Sequence, residues 1–168
     1  MIMIIRREKP SDIAAIEALT AAAFLRAPHT SRTEHFIVNA LRKTHQLSVS
    51  LVAEEHGVIV GHVAVSPVSL SDGTNGWYGL GPISVAPERQ RQGIGTRLMR
   101  QALVELKSLD AKGCVLLGEP AYYSRFGFKA EPALVLPGVP PEYFQALGLR
   151  GAIPTAAVTY HEAFNAKE

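Results

Sequence analysis

The strongest local pattern in the chain is Leu80-Gly81-Pro82-Ile83-Ser84-Val85-Ala86-Pro87-Glu88-Arg89-Gln90-Arg91-Gln92-Gly93-Ile94-Gly95-Thr96. A β-branched run is followed by a basic turn, two glycines one residue apart and a helical stretch. The chemistry this suits is anion binding. The first N–H groups of a helix have no intrahelical partner, and the helix dipole adds positive potential there. Glycine lets a ligand approach the backbone closely. Arg89 and Arg91 offer fork-shaped donors suited to phosphate oxygens, and Thr96 offers a hydroxyl.

Two familiar phosphate loops do not fit. A dinucleotide fingerprint needs a third glycine, and Leu98 holds that position. A P-loop needs Gly-Lys-Ser/Thr, and no lysine lies nearby. A second constellation follows, Tyr123-Ser124-Arg125-Phe126-Gly127-Phe128, in which a phenol and a cation precede a glycine turn. Its separation from the first pattern fits one long helix and one strand.

Those elements can be read from periodicity. Residues 2–7 read as a first strand. Pro10 suits the first position of a helix, with Asp12 favoured by the dipole and Ile13, Ile16, Thr20 and Phe24 at helical spacing. Ser31-Arg32-Thr33-Glu34 reads as a capping box for a second helix that buries Phe36, Ile37, Ala40 and Leu41. Residues 47–54 and 58–70 read as strands around the turn Glu55-His56-Gly57, and 77–85 as a third strand. Pro67 suggests an edge or a bulge. A long helix starts near Gly93, with Ile94, Leu98, Ala102 and Leu106 on one face, and ends near Asp110. Residues 115–117 read as a central strand, 120–126 as a short helix, 153–161 as a last strand, and 133–136 as one more. The expectation is a single α/β (α+β) domain over 1–168, with a mixed sheet of about six to seven strands and about four helices.

Composition narrows the partners. The chain has 168 residues, enough to bury a full core as one domain. Its 17 Lys and Arg against 15 Asp and Glu leave a net charge of +2, too mild for a dedicated nucleic-acid binder. Cys114 is the only cysteine, which excludes internal disulfides and Cys-rich metal sites. No signal peptide is visible, and no apolar stretch approaches the roughly 18 residues of a membrane span. A cytoplasmic protein with no membrane, nucleic-acid or metal partner is expected.

With both motifs in view, the chain resembles the GNAT superfamily of acetyl-CoA-dependent N-acetyltransferases. Gln90-Arg91-Gln92-Gly93-Ile94-Gly95 matches its Q/R-x-x-G-x-G/A pyrophosphate loop, and Tyr123 to Phe128 match its Y-x-K/R-x-G-F segment. Gly118-Glu119-Pro120-Ala121-Tyr122-Tyr123 and Tyr160-His161-Glu162-Ala163-Phe164-Asn165 look most like its YhbS-like bacterial branch. The resemblance implies a transfer of acetyl from acetyl-CoA to an amine of a small molecule or peptide, by direct attack in a ternary complex. A non-catalytic acyl-CoA sensor on the same fold is the alternative. The cofactor-binding residues implied are Ile83, Ser84, Val85, Gln90, Arg91, Gln92, Gly93, Ile94, Gly95 and Thr96. Ile83 and Val85 would pair with the pantetheine arm, the amides of 92–96 would hold the pyrophosphate, and a strand N–H near Ile83 would polarise the thioester. Tyr123 would protonate the leaving thiolate. Glu119 stands as a second catalytic candidate. The resemblance fixes no base, and Glu55, His62, Glu88, Glu119 and water all qualify. A homodimer is plausible by the same resemblance.

Each residue also has a plainer role. Tyr123 can be a core aromatic, His62 a strand histidine with a satisfied partner, Glu119 a helix cap, and Cys114 buried filler. Trp77, Tyr78, Phe24 and Tyr122 can line an acceptor pocket, with core packing the simpler reading. His161-Glu162 is not a zinc motif, because residue 165 is asparagine.

Overall fold

The structure is a computed structural model that describes residues 2–28 and 30–168. The chain opens with β1 (Met3–Arg7), a 3-10 turn at Pro10–Asp12, and helices α1 (Ile13–Phe24) and α2 (Glu34–Lys43). Strands β2 (Val49–Glu55), β3 (Val58–Leu70) and β4 (Trp77–Val85) follow. Helix α3 (Ile94–Ser108) leads to β5 (Gly113–Leu117), and α4 (Pro120–Tyr123) to β6 (Lys129–Ala130) and β7 (Leu134–Val135). Strands β8 (Phe144–Gly148) and β9 (Ala156–Tyr160) close the fold.

The main sheet runs β1-β2-β3-β4-β5-β8-β6, with β9 pairing the far end of β3 and β7 pairing β9. The mixed sheet with four helices agrees with the expected class, but the strands number nine among the described residues. The excess comes from short pieces. β6 and β7 have two residues each, and β8 lies in a stretch with no strand pattern. β8 carries Gln145, 1% exposed, in the middle of an otherwise apolar pairing with β5.

Three layers result. Helix α3 covers one face, where Ile94, Leu98, Met99, Ala102 and Leu106 pack on Leu51, Ala53, Val63, Val65 and Leu80. Helices α1 and α2 cover the other, where Ile16 and Val38 pack on Val52 and Ala64. The expected α3 stripe is buried throughout. In α2 the buried residues are Ile37, Val38 and Leu41, while Phe36 is only half-buried. The capping box at residue 31 does not form. Thr33 is the N-cap without a side-chain bond, and Glu34 instead accepts from Thr30 at 2.5 Å. Asp12 does cap its turn, accepting from the Lys9 amide at 2.7 Å and pairing with Arg6 at 2.7 Å. The bulge in β3 falls between Val63 and Val65 on its β4 side, and Pro67 stays within the ladder opposite Tyr78.

Candidate active site

Strands β4 and β5 run parallel but pair only across Trp77–Gly113, Tyr78–Cys114 and Gly79–Val115. Above that point β5 stays with β8, and β4 stays with β3. The sheet therefore opens into a wedge, and the β5-facing edge of β4 above Gly79 has no strand partner among the described residues. The alternation of backbone groups decides which residues face it. The Ala86 amide donates to Val60 O at 2.9 Å, towards β3. Ser84 shares that direction, so Ile83 and Val85 present their amides and carbonyls to the wedge. Gln90 Nε2 donates to Val85 O at 3.3 Å from that side. Ser84, expected among the cofactor-binding residues, thus turns its backbone to β3, and its side chain is buried rather than lining the cavity.

The phosphate loop closes the top of the wedge. Arg91 at φ 64° and Gly93 at φ 84° turn the backbone through the left-handed region, which glycine adopts without strain. Gly93 is the N-cap of α3 and provides no side-chain bond. Arg97 N–H makes the first helical bond, to Gly93 O at 3.1 Å. The amides of Ile94, Gly95 and Thr96 precede it and have no helical carbonyl to meet. A Cβ on Gly95 would lie 3.3 Å from the Tyr122 hydroxyl, so the lack of a side chain keeps this end narrow and accessible.

Arg89, expected as a phosphate donor, commits its guanidinium to Glu55, with Nη1 and Nη2 at 2.8 and 3.1 Å from the two carboxylate oxygens. This pair holds the Glu55 carboxyl below its usual range, removes it as a free base, and ties the loop to the β2–β3 hairpin. Gln92 braces the same turn by accepting from Arg89 Nε at 3.0 Å. Arg89 and Arg91 both line the cavity, but Arg91 is exposed while Arg89 is half-buried in its ion pair.

A cavity of about 570 Å³ joins these parts. Ile83, Val85 and the loop residues Arg89, Gln90, Arg91 and Gly93 to Thr96 form one wall. Tyr122, Tyr123 and Arg125, carried past the end of β5 by α4, form the other. Tyr123 stands edge-on to Tyr122 at 4.9 Å between ring centroids. Burial, with Tyr122 adding to it, pushes the Tyr123 hydroxyl up to about 12, so it stays protonated at neutral pH. Tyr122 lies 3.2 Å from Thr96 Oγ1, oxygen to oxygen, and stacks under the Arg125 guanidinium at 4.4 Å. Sequence reasoning left Tyr122 as a core or acceptor-pocket residue. Its place beside Tyr123 in the second motif was the available signal.

The other candidates fall elsewhere. Glu119 is exposed, caps α4 through its carbonyl, and does not line this cavity. Glu88 is exposed and lines a separate cavity beside α1. Trp77 is core, 2% exposed, and its ring fills the space where a Cβ on Gly113 would stand. Cys114 is fully buried, and burial pushes its thiol up. His62 is fully buried, on the sheet face opposite α3. Among the described residues no three His, Cys, Asp or Glu side chains gather as metal ligands would, and no helix is long and apolar enough to cross a membrane.

Comparison with known proteins agrees with this geometry. The acetyltransferase (GNAT) domain family matches residues 46–130, from before β2 to the end of β6. The chain is 35% identical to the uncharacterized N-acetyltransferase YhbS of Escherichia coli K12, over 97% of this chain and 99% of that one. A GNAT family acetyltransferase from Brucella melitensis, solved in complex with acetyl-CoA, is 47% identical and superposes with a TM-score of 0.87, covering 97% of this chain and 98% of that one. Escherichia coli YhbS in complex with CoA gives 34% identity and a TM-score of 0.84, over 97% and 92%. The chain belongs to the GNAT acetyltransferase family.

Proposed function

We propose that this chain moves an acetyl group from acetyl-CoA to an amine of a small molecule or peptide, by direct attack within a ternary complex. One observation carries the reading. A gap between two parallel strands, the uncapped start of a helix and a half-buried phenol share one cavity. A linear arm ending in a pyrophosphate fits that combination. The Brucella relative in complex with acetyl-CoA and YhbS in complex with CoA support it.

Each residue then has a task. The amides at the head of α3, with Arg91, bind the pyrophosphate. Ile83 and Val85 hydrogen-bond the pantetheine arm as a neighbouring strand would. The Ile83 amide polarises the thioester carbonyl as a single fixed donor. Holding donor and acceptor together in this way is worth about 7–11 kcal/mol in favourable cases. Tyr123 supplies the proton to the departing thiolate. A thiolate whose thiol has a pKa near 8.5 in water is a weaker base than this phenolate, but burial in the same cleft would raise the thiol pKa as it raises that of Tyr123.

Thermal-shift titration with acetyl-CoA and with CoA, followed by thiol release across a panel of primary amines, tests the proposal. Stabilisation by both ligands and release with at least one amine are expected. No shift at saturating ligand would overturn the cofactor assignment. A shift without release on any amine would make the chain an acyl-CoA sensor.

A further inference from the structure

Helix α4 and the turn after it bring two side chains to the cavity besides Tyr123. Tyr122 reaches Thr96, with 3.2 Å between the hydroxyl oxygens. A Cβ on Gly95 would lie 3.3 Å from the same phenol oxygen, so Tyr122 spans the gap to the head of α3. Arg125 lies over the Tyr122 ring, its Cζ 4.4 Å from the centroid. Its Nε donates to Tyr122 O at 2.9 Å.

These two contacts orient the guanidinium without neutralising it. An aromatic face and a carbonyl oxygen both hold an arginine and leave its charge in place. Among the described residues no carboxylate pairs with Arg125, and its Nη1 and Nη2 make no hydrogen bond. The side chain is exposed and lines the cavity. Among the described residues that line it there are three arginines and no carboxylate. Glu55 neutralises Arg89, which leaves Arg91 on the loop wall and Arg125 on the opposite wall. Two unpaired cations on facing walls suit two separate anionic groups.

The cofactor carries two. Acetyl-CoA has a pyrophosphate on one carbon of its ribose and a separate phosphate on another. The amides at the head of α3, with Arg91, take the pyrophosphate. The ribose phosphate hangs the width of a sugar away. Thr96 meets the edge of Tyr122 and Arg125 covers its face, so the body of the ring sets the guanidinium apart from the helix head.

Resting on the acetyl-CoA reading above, we propose that Arg125, held on Tyr122, grips the ribose phosphate of the cofactor and makes the chain select CoA over dephospho-CoA. Nη1 and Nη2 form the fork that two phosphate oxygens match, which a lysine cannot reproduce. Arg125 sets the specificity, and Tyr122 is its positioning residue.

The test is calorimetric titration of the full chain with CoA and with dephospho-CoA, which lacks only the ribose phosphate. Wild type should bind CoA about 10-fold more tightly, the worth of one charge-assisted contact. Arg125→Gln should bring the two ligands within about 2-fold of each other by weakening CoA alone. Arg125→Lys should recover part of the preference, as a charge without the fork. Arg100 stands over Phe126 at 5.2 Å and does not line the cavity, so Arg100→Gln should keep the wild-type ratio. Tyr122→Phe keeps the platform and should keep the ratio, whereas Tyr122→Leu should lower it. Added salt should shrink the ratio in wild type and leave it unchanged in Arg125→Gln. A wild-type ratio in Tyr122→Leu would overturn the positioning role of the ring. Equal wild-type affinities, or an Arg125→Gln variant that weakens both ligands alike, would overturn the proposal and leave the acetyl-CoA reading intact. A wild type that binds neither ligand would overturn both.

Discussion

Tyr123 occupies the space that a side chain on Gly118 would need. A Cβ there would lie 2.2 Å from Tyr123 Cε2 and 2.8 Å from Cδ2. The ring is also backed by Phe126 and Phe128, so it has little room to retreat. Gly118→Ala should displace the ring, destabilise the fold by about 2 kcal/mol and lower Tm by about 4–8 °C. Thermal denaturation reads this directly. An unchanged Tm would mean that the ring moves freely.

The phenol itself can be removed with little change of shape. Tyr123→Phe should keep acetyl-CoA affinity and lower kcat about 100-fold, the lower end for loss of a general acid. Calorimetry and thiol release separate the two effects. Equal turnover would leave Tyr123 as a packing residue only.

The two arginines of the phosphate loop should respond differently. Both line the cavity, but Arg91 is exposed there, so Arg91→Ala should weaken acetyl-CoA binding about tenfold, with a loss that shrinks at high salt. Arg89 is held by Glu55 and Gln92, so Arg89→Lys should act through loop order, with a loss that salt changes little. Titrations at two ionic strengths distinguish them. The reverse salt pattern would exchange their assignments.

His62 should also shape acid stability. Its folded pKa is lowered from 6.5 to about 4, so between those values the unfolded chain binds a proton that the folded chain does not. Its contribution is complete above about pH 6.5 and is lost as pH falls towards 4. The size is on the order of 3 kcal/mol. Denaturant midpoints measured from pH 7 to 4 should fall more steeply in wild type than in His62→Gln. Parallel profiles would contradict a neutral buried imidazole.

Legibility in the sequence followed the length and regularity of each element. Strands β3 and β4 were read to the residue, because long β-branched runs end at glycine turns. The α3 face was read through Ile94, Leu98, Ala102 and Leu106, which repeat every four residues. β8 was missed because its five residues place a polar group inside the sheet. Gln145 Nε2 donates to the distant Gly118 O at 2.9 Å, a bond that no local pattern announces. The ion pair of Arg89 was hidden for a related reason. Its partner Glu55 is 34 residues away, and only the fold brings them together. Both motifs were visible because their spacing is local. The contacts of Glu8, Ser50 and His62 were not, because those residues lie far apart in the chain.

The wedge between β4 and β5 has a consequence for self-association. An unpaired strand edge normally invites another chain to extend the sheet, which is a route to aggregation. This edge lies inside the sheet, with β3 on one side and β5 opposite. A foreign strand would have to enter a slot that narrows to full pairing at Gly79, with side chains on both of its faces. A slender, unbranched molecule meets no such obstacle. The same narrowing that leaves backbone groups free for a small partner thus screens them from other proteins, and the chain can keep an open edge at its core without the usual hazard of one.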